Sequence, residues 1–121
     1  MSRFVIHRTP TGFHFDLKAD NGETVAVSEV YTSAALCRKG IESVRRCAAT
    51  EKVEDHSIDA APLTCPKFEL YADKTGHYRF RLRSRNKKVI AASEGYATKS
   101  ACEKGIEAVR RCAEEATVEM I

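Results

Sequence analysis

Ser28-Glu29-Val30-Tyr31, Cys37-Arg38-Lys39-Gly40-Ile41-Glu42 and Val44-Arg45-Arg46-Cys47-Ala48 return later in the chain as Ser93-Glu94-Gly95-Tyr96, Cys102-Glu103-Lys104-Gly105-Ile106-Glu107 and Val109-Arg110-Arg111-Cys112-Ala113. From Ser28 to Ala48, thirteen of twenty-one positions are identical at an offset of 65, so the chain is a tandem repeat. Upstream the offset is 64, because Phe4 answers Phe68 and Gly12 answers Gly76; the second copy therefore carries one extra residue near His77.

Each copy reads as three strands followed by a helix. Phe4–His7 and Phe68–Tyr71 are the first strands. In the second strands Phe13, Phe15 and Leu17 alternate with His14, Asp16 and Lys18, and Tyr78, Phe80 and Leu82 alternate with Arg79, Arg81 and Arg83. Period-two alternation means a sheet with one buried and one wet face. Asp20-Asn21-Gly22 supplies the positive φ of a tight hairpin, whereas Arg85-Asn86-Lys87 lacks the glycine. The third strands lie roughly at 23–28 and 88–93. Ser33 and Thr98 then offer hydroxyls as helix N-caps. Cys37, Ile41, Val44 and Ala48 form one helical stripe, repeated by Cys102, Ile106, Val109 and Ala113. Gly40 and Gly105 fall mid-helix, where glycine costs about 1 kcal/mol against alanine, so a backbone or an aromatic ring is expected to pack closely there.

One such unit is too small to cover its own sheet. The expected architecture is α+β: two tandem β(3)-α repeats forming one antiparallel sheet of six strands, with two helices packed on one face and pseudo-twofold symmetry. The 121 residues read as a single domain, with repeat 1 at 4–48, an acidic linker at 49–67, repeat 2 at 68–113 and an acidic tail at 114–121. The linker is expected to cross the surface and to be mobile in part.

Composition is that of a globular protein, 43% apolar and 31% charged. No apolar run approaches the roughly 20 residues of a membrane span. Met1-Ser2-Arg3 leads into a strand without a secretory signal, so the expected location is cytoplasmic, with no membrane partner. The five cysteines form no CxxC pair and are expected to be free thiols, Cys65 the most exposed. Residues 68–113 hold eleven Lys/Arg against five Asp/Glu, while residues 4–48 hold six against five.

Phe68-Glu69-Leu70-Tyr71, Gly76-His77-Tyr78-Arg79-Phe80-Arg81-Leu82, Ser93-Glu94-Gly95-Tyr96 and Lys104-Gly105-Ile106-Glu107 resemble the YegP-like family of small bacterial proteins. The resemblance spans both repeats. It implies a β(3)-α unit whose copies share one sheet and exchange helices, either as two subunits or in tandem, and it implies no particular activity. The first copy departs from the family pattern, since Thr9-Pro10-Thr11-Gly12-Phe13-His14-Phe15-Asp16 lacks the basic outward residues.

The best functional candidate is the stripe Arg79, Arg81 and Arg83, with Lys88 nearby and Tyr71 across the strand pair. Alternate strand residues share a face, about 6.5–7 Å apart, and three guanidinium groups there attract phosphates or carboxylates. Tyr71 would offer a stacking surface. A nucleic acid or another anionic ligand is the expected partner. The same stripe also fits a solvated face interleaved with glutamates from neighbouring strands. His7 and His14 are cross-strand neighbours that could hold a metal, but no third ligand is evident, so none is expected. Glu42 and Glu107 are matched carboxylates, equally suited to pairing with Arg46 and Arg111 one turn on. Phosphate-binding glycine loops and nucleophile–base motifs are absent from the sequence. The expectation is a non-enzymatic, cofactor-free, monomeric binding module. A small enzyme with an unrecognised site and a structural subunit of an assembly remain as alternatives.

Overall fold

The computed structural model describes residues 1–59 and 61–121; position 60 of the linker lies outside them. The chain runs β1 (Arg3–Thr9), β2 (Gly12–Lys18), β3 (Thr24–Val27), α1 (Ala34–Cys47), β4 (Val53–Asp55), β5 (Lys67–Ala72), β6 (Tyr78–Arg83), β7 (Val89–Ala92), α2 (Lys99–Glu115) and β8 (Thr117–Met120). The class is α+β, as expected.

The sheet has eight strands in the order β4-β5-β6-β7-β3-β2-β1-β8. Its middle six are the antiparallel set read from the sequence. They join where β3 meets β7, at Val27 opposite Ala92. These two residues occupy the same position in their repeats, so the pseudo-twofold axis passes between them.

The two outer strands correct the six-strand, wholly antiparallel expectation. β4 lies parallel to β5 and β8 lies parallel to β1, which makes the sheet mixed. β4 belongs to the segment read as linker and β8 to the segment read as tail. Each follows the helix of one repeat and completes the edge of the other. The physical reason is the exposed ladder: β1 and β5 would otherwise present unpaired N–H and C=O groups to solvent.

The helices obey the sequence signals. Ser33 Oγ accepts from the Leu36 N–H and Thr98 Oγ1 from the Ala101 N–H, both at 3.1 Å. Their stripes bury Cys37, Ile41 and Val44, and Cys102, Ile106 and Val109, against Phe4, Phe15, Leu17, Phe68, Phe80 and Leu82. Phe4 meets Phe15 edge-on with centroids 5.7 Å apart, and Phe68 meets Phe80 likewise at 6.0 Å. Each helix packs on strands of both repeats.

Other repeated residues now have reasons. Ser28 Oγ accepts from the Phe15 N–H and Ser93 Oγ from the Phe80 N–H, both at 2.9 Å, which satisfies a strand donor where the ladder ends. Tyr31 and Tyr96 press their phenol ends against Gly40 and Gly105, leaving no room for a Cβ. The hairpin without glycine puts Lys87 at φ 69°, the position that Gly22 fills at φ 83° in the first copy.

Candidate functional site: the open face of the sheet

Both helices cover one face. On the other, strand register draws one row across all eight strands: Glu54, Glu69, Arg81, Ala92, Val27, Asp16, Val5 and Glu119. The axis runs between Ala92 and Val27. Arg81 on one side therefore faces Asp16 in the matching place on the other, and the two halves carry different chemistry.

In the second half, β6 sets Arg79, Arg81 and Arg83 outward on one face, as the alternation requires. They do not stand alone. Arg81 and Arg83 both donate through Nε to Glu69 Oε1, at 2.5 and 2.6 Å, and Arg79 donates to Asp73 Oδ2 at 2.7 Å. Arg83 also donates through Nη1 to the Lys87 carbonyl at 2.7 Å. Tyr71 lies opposite Arg79 in register. The Arg81 guanidinium covers its ring, 4.6 Å from the centroid, so the expected free stacking surface is taken by a cation–π contact. Lys88 is exposed in the β6–β7 turn.

The sequence reading missed the residues beneath. Lys67 Nζ lies 2.5 Å from Glu54 Oε2 and 3.4 Å from Glu69 Oε2, and His56 Nε2 lies 2.5 Å from Glu54 Oε1. The backbone N–H of Leu63, with Lys67 and His56, pulls the Glu54 carboxyl down to about 2. Burial works to raise Glu69, but the Arg81 and Arg83 bonds outweigh it and hold its pKa below the usual carboxylate value. The Glu54 bond raises the Lys67 ammonium. The stripe is thus a charge lattice. Carboxylates underneath fix the guanidinium groups by their Nε atoms. Beside it, a hollow of about 580 Å³ is lined by Lys67, Arg83, Arg85 and Lys87, with Leu63 and Cys65 from the linker.

In the first half the matching places hold His7, His14 and Asp16. The imidazoles stack with centroids 4.9 Å apart at 19°. His7 Nε2 lies 2.9 Å from Asp16 Oδ2 and His14 Nε2 lies 3.4 Å from Asp16 Oδ1. Period-two alternation had already put Asp16 beside His14; the step missed was to count it with the pair.

Glu42 and Glu107 do not meet. Each pairs with an arginine of its own helix, at i+3 rather than the expected i+4: Glu42 with Arg45 and Glu107 with Arg110. All five cysteines are free thiols and only Cys65 is not buried. Burial raises the thiol pKa of Cys37, Cys47 and Cys102, the last to about 11, which opposes nucleophilic use.

A family model described as a domain of unknown function, DUF1508, matches twice, over residues 11–55 and 73–119. A UPF0339 protein of Photorhabdus laumondii is 38% identical over 95 residues, 78% of this chain and 71% of that one. A UPF0339 protein of Methanosarcina acetivorans is 50% identical over 52 residues, which is 43% of this chain but 90% of that one, about one repeat in length. The solution NMR structure of yegP from E. coli, described as a protein of unknown function, superposes with a TM-score of 0.82 at 32% identity, covering 98% of this chain and 91% of that one.

Proposed function

Since the chain belongs to the DUF1508 family and is related to UPF0339 proteins such as YegP, we propose that it is a non-enzymatic binding module that takes a nucleic acid on the open face of its second repeat. The contact residues are Arg79, Arg81, Arg83, Tyr71 and Lys88, and the phosphates are the groups recognised.

The observation that supports this most is the way Glu69 holds two arginines. Both guanidinium groups give it their Nε, which leaves the outer N–H groups of Arg81, and those of Arg83 not spent on the Lys87 carbonyl, for phosphate oxygens. Fixing those side chains beforehand lowers the entropy lost on binding. The charge of the face agrees. Lys67, Arg79, Arg81 and Arg83 carry four positive charges against three negative from Glu54, Glu69 and Asp73, and Arg85, Lys87 and Lys88 border them. With the Tyr71 ring covered by Arg81, phosphate contact matters more than stacking of bases. In this reading the module works as a monomer in the cytoplasm.

A labelled single-stranded oligonucleotide, followed by fluorescence anisotropy, tests the reading. Binding is expected at low salt, with log K falling linearly against log salt. Arg79→Ala with Lys88→Ala should weaken it and lower that slope, while leaving Glu69 paired. The triple change of Arg79, Arg81 and Arg83 to alanine should abolish it in protein that keeps its fold. No binding at low salt, or binding that survives the triple change, defeats the proposal. Light scattering on the eluting protein should give the mass of one chain.

A further inference from the structure

We propose that His7, His14 and Asp16 form a site for a divalent transition-metal ion of the zinc type on the open face of the first repeat. The site is separate from the anion-binding residues, which lie beyond the pseudo-twofold axis, and does not depend on that proposal.

The backbone assembles the three ligands. His7 and His14 are directly opposite on the antiparallel pair β1 and β2. Asp16 is two residues beyond His14 on β2 and shares its face. One donor atom from each side chain can be chosen such that all three lie within 4.8 Å of one another. A metal with ligands at about 2.0–2.2 Å needs tetrahedral donor separations of about 3.3–3.6 Å. The His14–Asp16 separation of 3.4 Å already has that size, and the His7–Asp16 separation of 2.9 Å requires only a small opening. Ladder pairing holds both strands, so binding would move side chains rather than backbone.

The present contacts are poorly satisfied without such an ion. His7 Nε2 is shielded from solvent and makes no hydrogen bond among the described residues, although Asp16 Oδ2 is 2.9 Å away; the atoms are close but not aligned as donor and acceptor. Among the described residues Asp16 has no lysine or arginine partner, and its side chain is only 16% exposed. Two imidazole nitrogens thus converge on one largely buried carboxylate that, among the described residues, has no lysine or arginine nitrogen within 4 Å; Lys18, the nearest basic residue along β2, turns its ammonium to Thr24 instead. A dication supplies the positive charge and takes all three donors at once. Two imidazoles and a carboxylate suit zinc, nickel, copper or iron, not calcium or magnesium.

The other half contains an internal control. Glu54, His56 and Glu69 also cluster closely enough to ligate an ion. There the Lys67 ammonium already lies against both carboxylates and would oppose a second cation. The structural counterparts of His7, His14 and Asp16 are Tyr71, Arg79 and Arg81, which cannot form such a site. The chain should therefore bind one ion, although it is built from two copies of one unit.

Zinc titration of the intact chain by calorimetry, and by NMR of the histidine ring protons, tests this at neutral pH. The protein carries Cys65→Ser, because that thiol is the one not buried. The expected result is saturation at one equivalent, with the His7 and His14 resonances shifted while those of His56 and His77 stay in place. His14→Gln and Asp16→Asn should each weaken binding by at least about 10-fold, and cobalt should bind without a thiolate charge-transfer band. Failure to saturate at micromolar zinc, saturation with His7 and His14 unmoved, or affinity unchanged in the His7→Gln/His14→Gln double variant would overturn the proposal. The NMR titration needs no ligand variant, so poor folding of a variant cannot leave the question open.

Discussion

Arg45, in repeat 1, donates through Nη2 to the Ala116 carbonyl at the end of α2, at 2.7 Å. Nη1 reaches the Ala113 carbonyl at 3.3 Å, and the guanidinium stacks on Phe4, 5.1 Å from the ring centroid. Arg110 answers it, donating to the Thr50 carbonyl just beyond α1 at 2.9 Å and stacking on Phe68 at 5.3 Å. Each arginine thus donates to carbonyl oxygen at, or just beyond, the end of the other repeat's helix. Hydrogen bonds from a charged donor contribute about 1.5–3 kcal/mol each, and a cation–π contact adds about 0.5–1. Counting the 2.7 Å bond and the ring contact but not the long 3.3 Å one, we expect Arg45→Ala to cost about 2–4 kcal/mol in urea denaturation. Arg45→Lys should recover little of this, because lysine lacks the planar fork. A loss below half a kcal/mol for Arg45→Ala would count against the reciprocal cap.

Gly40→Ala should destabilise the protein although alanine is the better helix former. The gain in propensity is about 1 kcal/mol. Against it, a Cβ would collide with the Tyr31 phenol end, and the ring is held in place by packing on Phe15. Overpacking of this kind costs about 1–3 kcal/mol. Gly105→Ala should behave alike against Tyr96. A rise in melting temperature for either variant contradicts the steric account.

Lys87→Gly should stabilise the fold by about 1 kcal/mol, the order of the penalty for a side chain at left-handed φ. If the second repeat binds phosphates, the same change should weaken binding, since Lys87 borders that surface. Opposite signs in the two measurements would show that this turn gives up stability for charge placement. Unchanged stability would mean that the backbone there is unstrained.

Acid should unfold the protein partly through Glu54. Its carboxyl titrates near 2 in the fold against 4.5 in a free chain, so its contribution is complete above about 4.5 and is lost as pH falls towards 2. Glu54→Gln should be less stable than the wild type at neutral pH, and the gap should close across that interval. A gap unchanged by acid would remove Glu54 from the account.

Much of the fold can be read before any coordinates exist. The reason is that Phe13-His14-Phe15-Asp16-Leu17 and Tyr78-Arg79-Phe80-Arg81-Leu82 alternate cleanly and Ser33 and Thr98 mark helix starts. β4 and β8 escape such reading because, at three and four residues, they are too short for a period to stand out and lie in acidic segments. One signal existed: Val53-Glu54 and Val118-Glu119 match at the same 65-residue offset as the helices. The outward direction of the Arg79, Arg81 and Arg83 stripe was likewise legible. Glutamates interleaved from neighbouring strands were also expected, and Glu69 is one; Glu54 was not foreseen, since it joins Glu69 only through a parallel pairing that the linker makes possible. His7 and His14 could be paired from a hairpin of known register. Asp16 was named among the outward residues but not joined to them.

The parallel edge strands give the polymer the connectivity of a ring with one link open. Residues 56–66 carry the chain from the end of β4 back to the start of β5. The end of β8 and the start of β1 stand in the same relation, with the Ile121 N–H bonded to the Ile6 carbonyl at 3.0 Å, and no peptide joins them. A circular permutant that bridges Ile121 to Met1 with a flexible tether as long as the 56–66 segment, and is cut within that segment, should refold with its halves in reversed order. Its amide NMR spectrum should match the parent away from the old and new termini.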